Sequence, residues 1–322
     1  MRLHHQALAG GSSISKLKNR TRRLGHHHAL GGGPSTSQLP KYTSTSYDAP
    51  HMNPHLTALE AAYQLHYYLW FKTHYLQPFL ASADRQQWTK LVIADTCKRH
   101  DYSLLESDFD STHLRLLISL QPKHTVSQAV KLLKGNLQYQ FGKTFDGEKL
   151  LARGYFARTA GRVDLERARN YVTSQITHHG YRGEWTRPLK FRNTAFSSPA
   201  FSFEHYYTIL NYHLVFATQS RLPIFDEVIG QDSSITSSRL GRSISRISLL
   251  PDHMHMIIEG VARLSVEDYA LAITNNTQYW MTKNYGGVLK ETGAWNVWQP
   301  SYYAGTVGEF TSTQVAKFLG SE

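Results

Sequence analysis

The segment Pro251-Asp-His-Met-His-Met-Ile-Ile-Glu-Gly260 is typical of an apolar strand that carries two histidines, His253 and His255. Side chains at positions i and i+2 of a strand project from the same face of the sheet, so the two imidazoles are expected to stand side by side while Met254 turns to the other face. Two neighbouring imidazoles are a bidentate ligand pair for a metal ion. A histidine pair on a strand is more often structural or half exposed, so the pair alone does not establish a metal site.

A related segment lies 140 residues upstream, where His113-Leu-Arg-Leu-Leu-Ile-Ser119 matches the histidine segment. Two further pairs of segments match at offsets of 145 and 147 residues: 67–79 with 212–224, and 154–161 with 301–308. Loops tolerate the small length changes that separate these offsets. Because the period is far too long for a solenoid, the repeats predict a tandem duplication of one domain.

The two copies share a coarse order of elements, and hydrophobic periodicity assigns their types. Strands with helices laid over one face predict an α+β fold. In copy one the pattern also predicts a helix over 82–99, with Ser82 and Asp84 as candidate caps. The other predicted elements are strands at 66–72 and 207–217, strand pairs at 102–108 with 113–120 and 243–249 with 253–259, helices that begin at Thr125 and Ser265, last strands at 154–159 and 302–306, and final helices at 164–177 and 312–320.

The domain organisation follows from length and composition. A chain of 322 residues predicts two folded units. The basic, glycine-rich segment 1–55 is predicted to be disordered. We assign copy one to 56–182 and copy two to 204–322, with a linker at 183–203 that contains Pro188 and Pro199.

Charge and composition restrict the class of protein. With 35 basic and 24 acidic residues the net charge is +11, which favours a polyanionic partner such as nucleic acid. The single cysteine, Cys97, excludes a disulfide framework and a cysteine-based zinc ribbon. The apolar run 67–80 is too short to cross a bilayer, and the first residues lack the apolar core of a secretory signal. We therefore expect a soluble, cytoplasmic protein of bacterial type that is associated with the nucleoid when bound to DNA.

Several motifs in the same order resemble the single-tyrosine HUH transposases of small insertion sequences, and copy two is similar to the REP-associated tyrosine transposases. The motifs are HLVFATQSRLPIF at 213–225, PDHMHMIIEG at 251–260, KLLKGN at 131–136, and GYFARTAG at 154–161 followed by Tyr171-Val-Thr-Ser-Gln175. The resemblance implies two tandem ferredoxin-like HUH domains. It also implies that two histidines and a glutamine bind a divalent metal, Mg²⁺ or Mn²⁺, and that a tyrosine on the final helix attacks DNA.

Neither copy contains the full set of these residues. Copy one keeps Tyr171 and Gln175, which lie four apart on one face of the predicted helix, but has His113 followed by Arg115 where the second histidine belongs. Copy two keeps His253 and His255, whereas the positions of the tyrosine and glutamine hold other residues, namely Phe318 and Glu322. Arg115 can hold a phosphate in place of the metal or have a structural role.

In many dimers of the resembled family, the final helix of one subunit docks on the histidine strand of the other. The same exchange between fused copies predicts a pseudo-dimer with one composite site, formed by Tyr171, Gln175, His253 and His255, and one decayed site. The alternative is an independent decay of both copies. We expect a monomer that acts as an intramolecular pseudo-dimer.

The resemblance implies metal-dependent nicking and strand transfer of single-stranded DNA at hairpin-containing ends, through a 5′-phosphotyrosine intermediate. The alternatives are a catalytically silent DNA-hairpin-binding protein derived from a transposase, and a metal-dependent RNA endonuclease. Basic residues that could contact the DNA backbone are Lys131, Lys134, Lys143, Arg239, Arg242 and Arg246.

Overall fold

The computed structural model describes residues 55–145, 149–174, 206–225, 229 and 244–308, together with the backbone of 189–192 and 201–203. The predicted basic tail, the final helix predicted at 312–320 and most of the predicted linker lie outside this part of the chain. Among the described helices, none combines the length and apolar character that a membrane span needs.

Copy one follows the predicted order, with one strand more. The Ser82 side chain accepts a hydrogen bond from Arg85 N and begins α1, as predicted, and Asp164 caps α3 in the same way. The elements are β1 (Glu60–Gln64), β2 (His66–Lys72), α1 (Ala83–Arg99), β3 (Ser103–Phe109), β4 (His113–Ser119), α2 (Val126–Phe145), β5 (Tyr155–Ala160) and α3 (Leu165–Thr173). The pattern analysis did not predict β1.

Copy two repeats this order in the residues that are described. Ser265 and Asp268 form a capping box, which explains why the long helix begins where predicted. The elements are β6 (Leu189–Arg192), β7 (Phe201–Phe203), β8 (Tyr206–Thr218), β9 (Ile244–Leu250), β10 (His253–Gly260), α4 (Val266–Thr292) and β11 (Trp298–Thr306).

The segment predicted as a linker contains two short strands that the pattern analysis did not predict. β6 pairs with β9, and β7 pairs with the first residues of β8. Four- and three-residue strands have no periodicity that could be recognised in the sequence. Strand pairing with distant segments, rather than the local sequence, gives them their conformation.

The strands of both copies form one continuous sheet in the described part of the chain. Its order is β3-β4-β2-β5-β8-β10-β9-β6, with β11 between β1 and β8. Two parallel pairs join the copies: Tyr155–Arg158 of β5 with Tyr206–Ile209 of β8, and Glu60–Gln64 of β1 with Ser301–Gly305 of β11. These two pairings are equivalent under the sequence repeat, so the copies are related by a pseudo-twofold axis.

The chain segments that follow β5 and β11 cross at this axis. Gly161 N donates to Gly308 O at 2.7 Å, and Gly308 N donates to Val163 O at 3.0 Å. Two equivalent threonines complete the crossing, because Thr159 Oγ1 donates to Val307 O at 2.6 Å and Thr306 Oγ1 donates to Ala160 O. After the crossing, α3 of copy one packs on β9 and β10 of copy two.

The two faces of the copy-two sheet have different partners. Met254 and Met256 lie in the main core with Leu214 and α4, as the strand alternation requires. On the opposite face, Ile257 packs against α3 in a separate small cluster. The α+β prediction is therefore confirmed, and the structure adds that the final helix of copy one covers the face that carries His253 and His255.

We predict that Gly161→Ala destabilises the protein by about 1–3 kcal/mol, because the added Cβ would overlap the Thr306 carbonyl oxygen at the crossing. Gly142→Ala is the matched control, since a Cβ there meets no atom within 4 Å and alanine favours the interior of α2. Urea unfolding of the two variants measures the difference. Equal stability of the two variants would contradict the proposed close contact.

Candidate active site

β10 holds the two histidines in a buried setting. His253 and His255 are 2% and 6% exposed, and their ring centroids lie 5.1 Å apart. Across the strand pair, His253 lies opposite Ala217 and His255 lies opposite Val215, so neither imidazole has a large side chain as its β8 neighbour. The side-by-side arrangement expected from the strand spacing is present.

Asp252 orients His253. Its Oδ1 lies 2.6 Å from His253 Nδ1, and its Oδ2 lies 2.8 Å from the guanidinium of Arg221. Burial lowers the pKa of His253, Arg221 lowers it further, and Asp252 opposes both effects. A lowered pKa keeps the imidazole neutral at pH 7, which is the form that ligates a metal ion.

The turn that presents Arg221 has a strained backbone. Ser220 and Arg221 have φ values of 53° and 60°, a conformation that non-glycine residues rarely adopt. The equivalent residues of copy one, Tyr75 and Leu76, adopt the same conformation, so the strain belongs to the repeated fold. Only copy two places a charged side chain on this turn.

A third imidazole, which the sequence analysis missed, lies beside the pair. His213 Nε2 is 3.1 Å from His255 Nδ1, and the two rings stack with centroids 5.3 Å apart. Burial lowers the pKa of His213 to about 4. His213 was visible in the strand motif HLVFAT, but its proximity to His255 depends on how β8 pairs with β10, which no local pattern reveals.

The nucleophile candidate of copy one reaches the histidines of copy two. The Tyr171 ring lies 5.9 Å from the His255 ring and 5.9 Å from the His213 ring, in edge-on contacts with both. Tyr171 is 36% exposed, so its ring borders both the protein and the solvent. Gln175 lies outside the described residues.

A second tyrosine, also missed from the sequence, borders the same site. The Tyr303 ring on β11 lies 6.1 Å from the His213 ring. Burial raises the pKa of Tyr303, and the neighbouring Tyr171 raises it further. Two phenols therefore flank the imidazoles, one from each copy.

The equivalent site of copy one contains an internal ion-pair network. The Arg115 guanidinium contacts Asp108 and lies 2.7 Å from Asp110 Oδ2. His113 lies 3.2 Å from Asp110 Oδ1 and stacks on Trp70 with ring centroids 5.1 Å apart. Of the two roles considered for Arg115, these contacts favour the structural one. Phe318 and Glu322 lie outside the described residues.

The candidate DNA contacts differ in their surroundings. Lys131 is exposed, and Lys143 is exposed beside the Tyr139 ring, 4.3 Å from its centroid. Arg246 is partly buried and donates to Ser245 O at 2.9 Å. The Lys134 ammonium donates to the carbonyl oxygens of three consecutive residues, 152–154, and these contacts favour a structural role for this side chain. Arg239 and Arg242 lie outside the described residues.

The chemistry of the donor set fits a divalent metal ion. A hydrogen bond at Nδ1 assigns metal ligation to Nε2, and both His253 and His255 have such a bond, to Asp252 and His213. Within the described residues no group of three or more His, Cys, Asp or Glu side chains is arranged to hold a metal.

The two copies are transposase domains, as the comparison with protein families shows. The family model described as "Transposase IS200 like" matches residues 61–175 and again residues 206–321. The chain belongs to the IS200-like transposase family, and the predicted tandem duplication is confirmed.

Two relatives come from Deinococcus radiodurans. The chain is 25% identical over 117 residues to the ISDra2 transposase TnpA, a match that covers 35% of this chain and 84% of that protein. A crystal structure of a transposase from the same organism is 21% identical, covers 37% of this chain and 89% of its own, and has a TM-score of 0.30.

We predict that Lys134→Met lowers the free energy of unfolding by about 1–3 kcal/mol, because three carbonyl oxygens lose their hydrogen-bond donor. Lys131→Met, on the exposed side of the same helix, is expected to change stability by less than about 0.5 kcal/mol. Chemical denaturation measures both values. If Lys134→Met lost DNA affinity while its stability stayed unchanged, Lys134 would be a DNA contact.

Proposed function

We propose that this transposase nicks single-stranded DNA and transfers the strand through one composite active site. Copy one supplies Tyr171 and Gln175, and copy two supplies His253 and His255. The observation that carries the proposal is the 5.9 Å separation of the Tyr171 and His255 rings, which belong to different copies. Membership of a transposase family independently supports DNA as the substrate.

The residues have separate roles in this reaction. Tyr171 is the nucleophile, and His253, His255 and Gln175 hold Mg²⁺ or Mn²⁺. When bound, such an ion supplies Lewis-acid chemistry by neutralising charge on the non-bridging phosphate oxygens. α3 holds the Tyr171 phenol over the face of the sheet that carries the imidazoles. A nucleophile held in this way is already oriented toward the bound phosphate, which lowers the entropic cost of the attack.

The covalent step conserves the energy of the phosphodiester bond. The Tyr171 hydroxyl oxygen forms a bond to phosphorus, the bond from phosphorus to the 3′-oxygen breaks, and the phenolic proton is lost to solvent while the 3′-oxygen gains one. The products are a 5′-phosphotyrosine and a free 3′-hydroxyl. A 3′-hydroxyl can later attack the phosphotyrosine, so the strand is rejoined without ATP.

Asp252 and His213 keep the two imidazoles in the ligating orientation. Asp252 accepts a hydrogen bond from His253 Nδ1, and His213 Nε2 accepts one from His255 Nδ1 when both histidines carry their proton on Nδ1. The tautomer of each ring is then set by its neighbour. In copy one the residue equivalent to Asp252 is Thr112, and Thr112 Oγ1 and Asp110 Oδ1 lie 2.8 Å and 3.2 Å from His113 Nδ1.

The substrate we propose is a single strand folded into hairpins at its ends, in line with the net charge of +11. The exposed Lys131 and Lys143 on α2 are candidate backbone contacts, with Arg239, Arg242 and Arg246 from copy two. The second candidate function is binding of DNA hairpins without cleavage. It is supported by the Arg115 network, because copy one has replaced a metal ligand by an internal cation.

Tyr171→Phe is expected to abolish the covalent protein–DNA adduct, because phenylalanine has no oxygen to attack phosphorus. Tyr303→Phe is the matched control at the same site and is expected to retain adduct formation within about threefold, since the second phenol is not assigned to the attack. Denaturing gels of each variant with labelled single-stranded hairpin DNA and Mn²⁺ measure the adduct. An adduct that survives Tyr171→Phe and disappears in Tyr303→Phe would assign the attack to the other tyrosine. No adduct with any variant would favour the binding protein.

His213→Ala is expected to weaken Mn²⁺ binding by about 10–100-fold, because the hydrogen bond that orients His255 is lost. His113→Ala, in the equivalent region of copy one, is expected to leave the affinity unchanged. Isothermal titration of the full chain with Mn²⁺, without DNA, measures both. Equal affinities in the two variants would show that His213 does not support the metal site.

A further inference from the structure

Three successive positions on one face of β10 meet three different sides of α3. His255 lies beside Tyr171, Ile257 packs against Ala168 and Val172, and Glu259 pairs with Arg169. On a helix, residues 168 and 172 share one face, whereas 169 and 171 project to opposite sides of it. Arg169 and Tyr171 therefore lie on the two flanks of the docked helix.

The Arg169–Glu259 pair is buried at this interface between the copies. Arg169 Nη2 donates to Glu259 Oε1 at 3.1 Å, and Arg169 Nε donates to Ser245 Oγ at 3.1 Å. The side chain of Glu259 is 1% exposed, and that of Arg169 is 21% exposed. Burial raises the pKa of Glu259, and the guanidinium of Arg169 opposes that shift. Arg169 Nη1 also lies 3.8 Å from the exposed carboxylate of Glu166, and Ser245 and Arg246 also lower the pKa of Glu259. Glu259 remains the buried carboxylate of the network, and a buried carboxylate that loses a paired cation is costly.

The sequence positions equivalent to this pair, on the final helix of copy two and the histidine strand of copy one, carry no charge. The sequence repeat aligns Arg169 with Ala316 and Glu259 with Ser119. The ion pair is thus specific to the combination of the copy-one helix with the copy-two strand. Apolar packing of Ala168 and Val172 on Ile257 and Val307 holds one face of α3 on the sheet, and the ion pair adds a polar contact on one flank of that face.

We propose that Arg169 and Glu259 are positioning residues that set the rotation of α3 and thereby keep Tyr171 against the imidazoles. This inference rests on the proposed function of Tyr171. The ion pair fixes the position of one flank of the helix. Because the helix is rigid, the position of Tyr171 on the other flank is then fixed as well. Neither residue of the pair touches the reacting atoms.

The test is a double-mutant cycle with Arg169→Met, Glu259→Met and the double variant. Each single variant removes the ion pair across the interface and leaves Arg169 with Glu166 or Glu259 with Arg246 as the remaining opposite charge. We expect the single-turnover rate of adduct formation to fall by about tenfold. The double variant replaces the pair by apolar side chains of similar size, and we expect it to recover to within about threefold of the natural protein. Affinity for the hairpin DNA is expected to stay within about twofold in all three variants.

Arg167→Met is the matched control, since Arg167 lies on the same helix with its side chain 75% exposed. It is expected to retain the natural rate. Hydrogen exchange of the α3 amides provides a readout without catalysis: exchange is expected to rise in the two single variants and to stay unchanged in the double variant and in Arg167→Met. Unchanged rates and unchanged exchange in the single variants, or effects that simply add in the double variant, would overturn the inference.

Failure of the proposed function has a different signature. If the natural protein forms no adduct at Tyr171, the proposed reaction is wrong, and the exchange measurements alone still decide whether the pair positions α3. If the adduct forms but all four variants behave alike, the reaction stands and the positioning role is wrong.

Discussion

The crossing of the two chain segments at the pseudo-twofold axis is the constraint on which the rest of the structure depends. Gly161 and Gly308 approach the opposite segment so closely that a side chain would overlap a backbone carbonyl, and Thr159 and Thr306 donate hydrogen bonds across the same point. The crossing directs the helix that follows β5 onto the sheet of copy two. The candidate site around His253 and His255 therefore combines elements of both copies.

We propose that this exchange brings the residues kept by the two incomplete copies into one site, with Tyr171 from copy one and His253 and His255 from copy two. In this proposal Arg115 and Phe318 belong to the second, decayed site. The Asp252 carboxylate beside His253 and the Arg169–Glu259 pair lie on the side of the first site. In copy one, the Arg115 guanidinium pairs with Asp108 and Asp110.

Local patterns predicted most of the fold but little of the site's surroundings. Ser82 and Ser265 begin their helices as predicted, because capping depends on residues three positions apart. β6 and β7 were missed because short strands acquire their conformation from pairing. His213 and Tyr303 were missed because their distance to His255 or Tyr171 depends on strand register and helix docking. Lys134 was predicted as a DNA contact because the sequence does not show its hydrogen bonds to the carbonyl oxygens of 152–154, which lie in a distant loop.

The sequence by itself determined the duplication, the α+β class, the histidine pair on one face of a strand and the incomplete residue set of each copy, because all of these depend on spacing within a segment. Only the tertiary structure decided that β5 and β8 join the copies in one sheet and that Tyr171 lies beside His255. The physical reason is that strand pairing and helix docking are contacts between residues far apart in the chain. Their partners are selected by packing and buried charge at the interface, which a linear pattern does not contain.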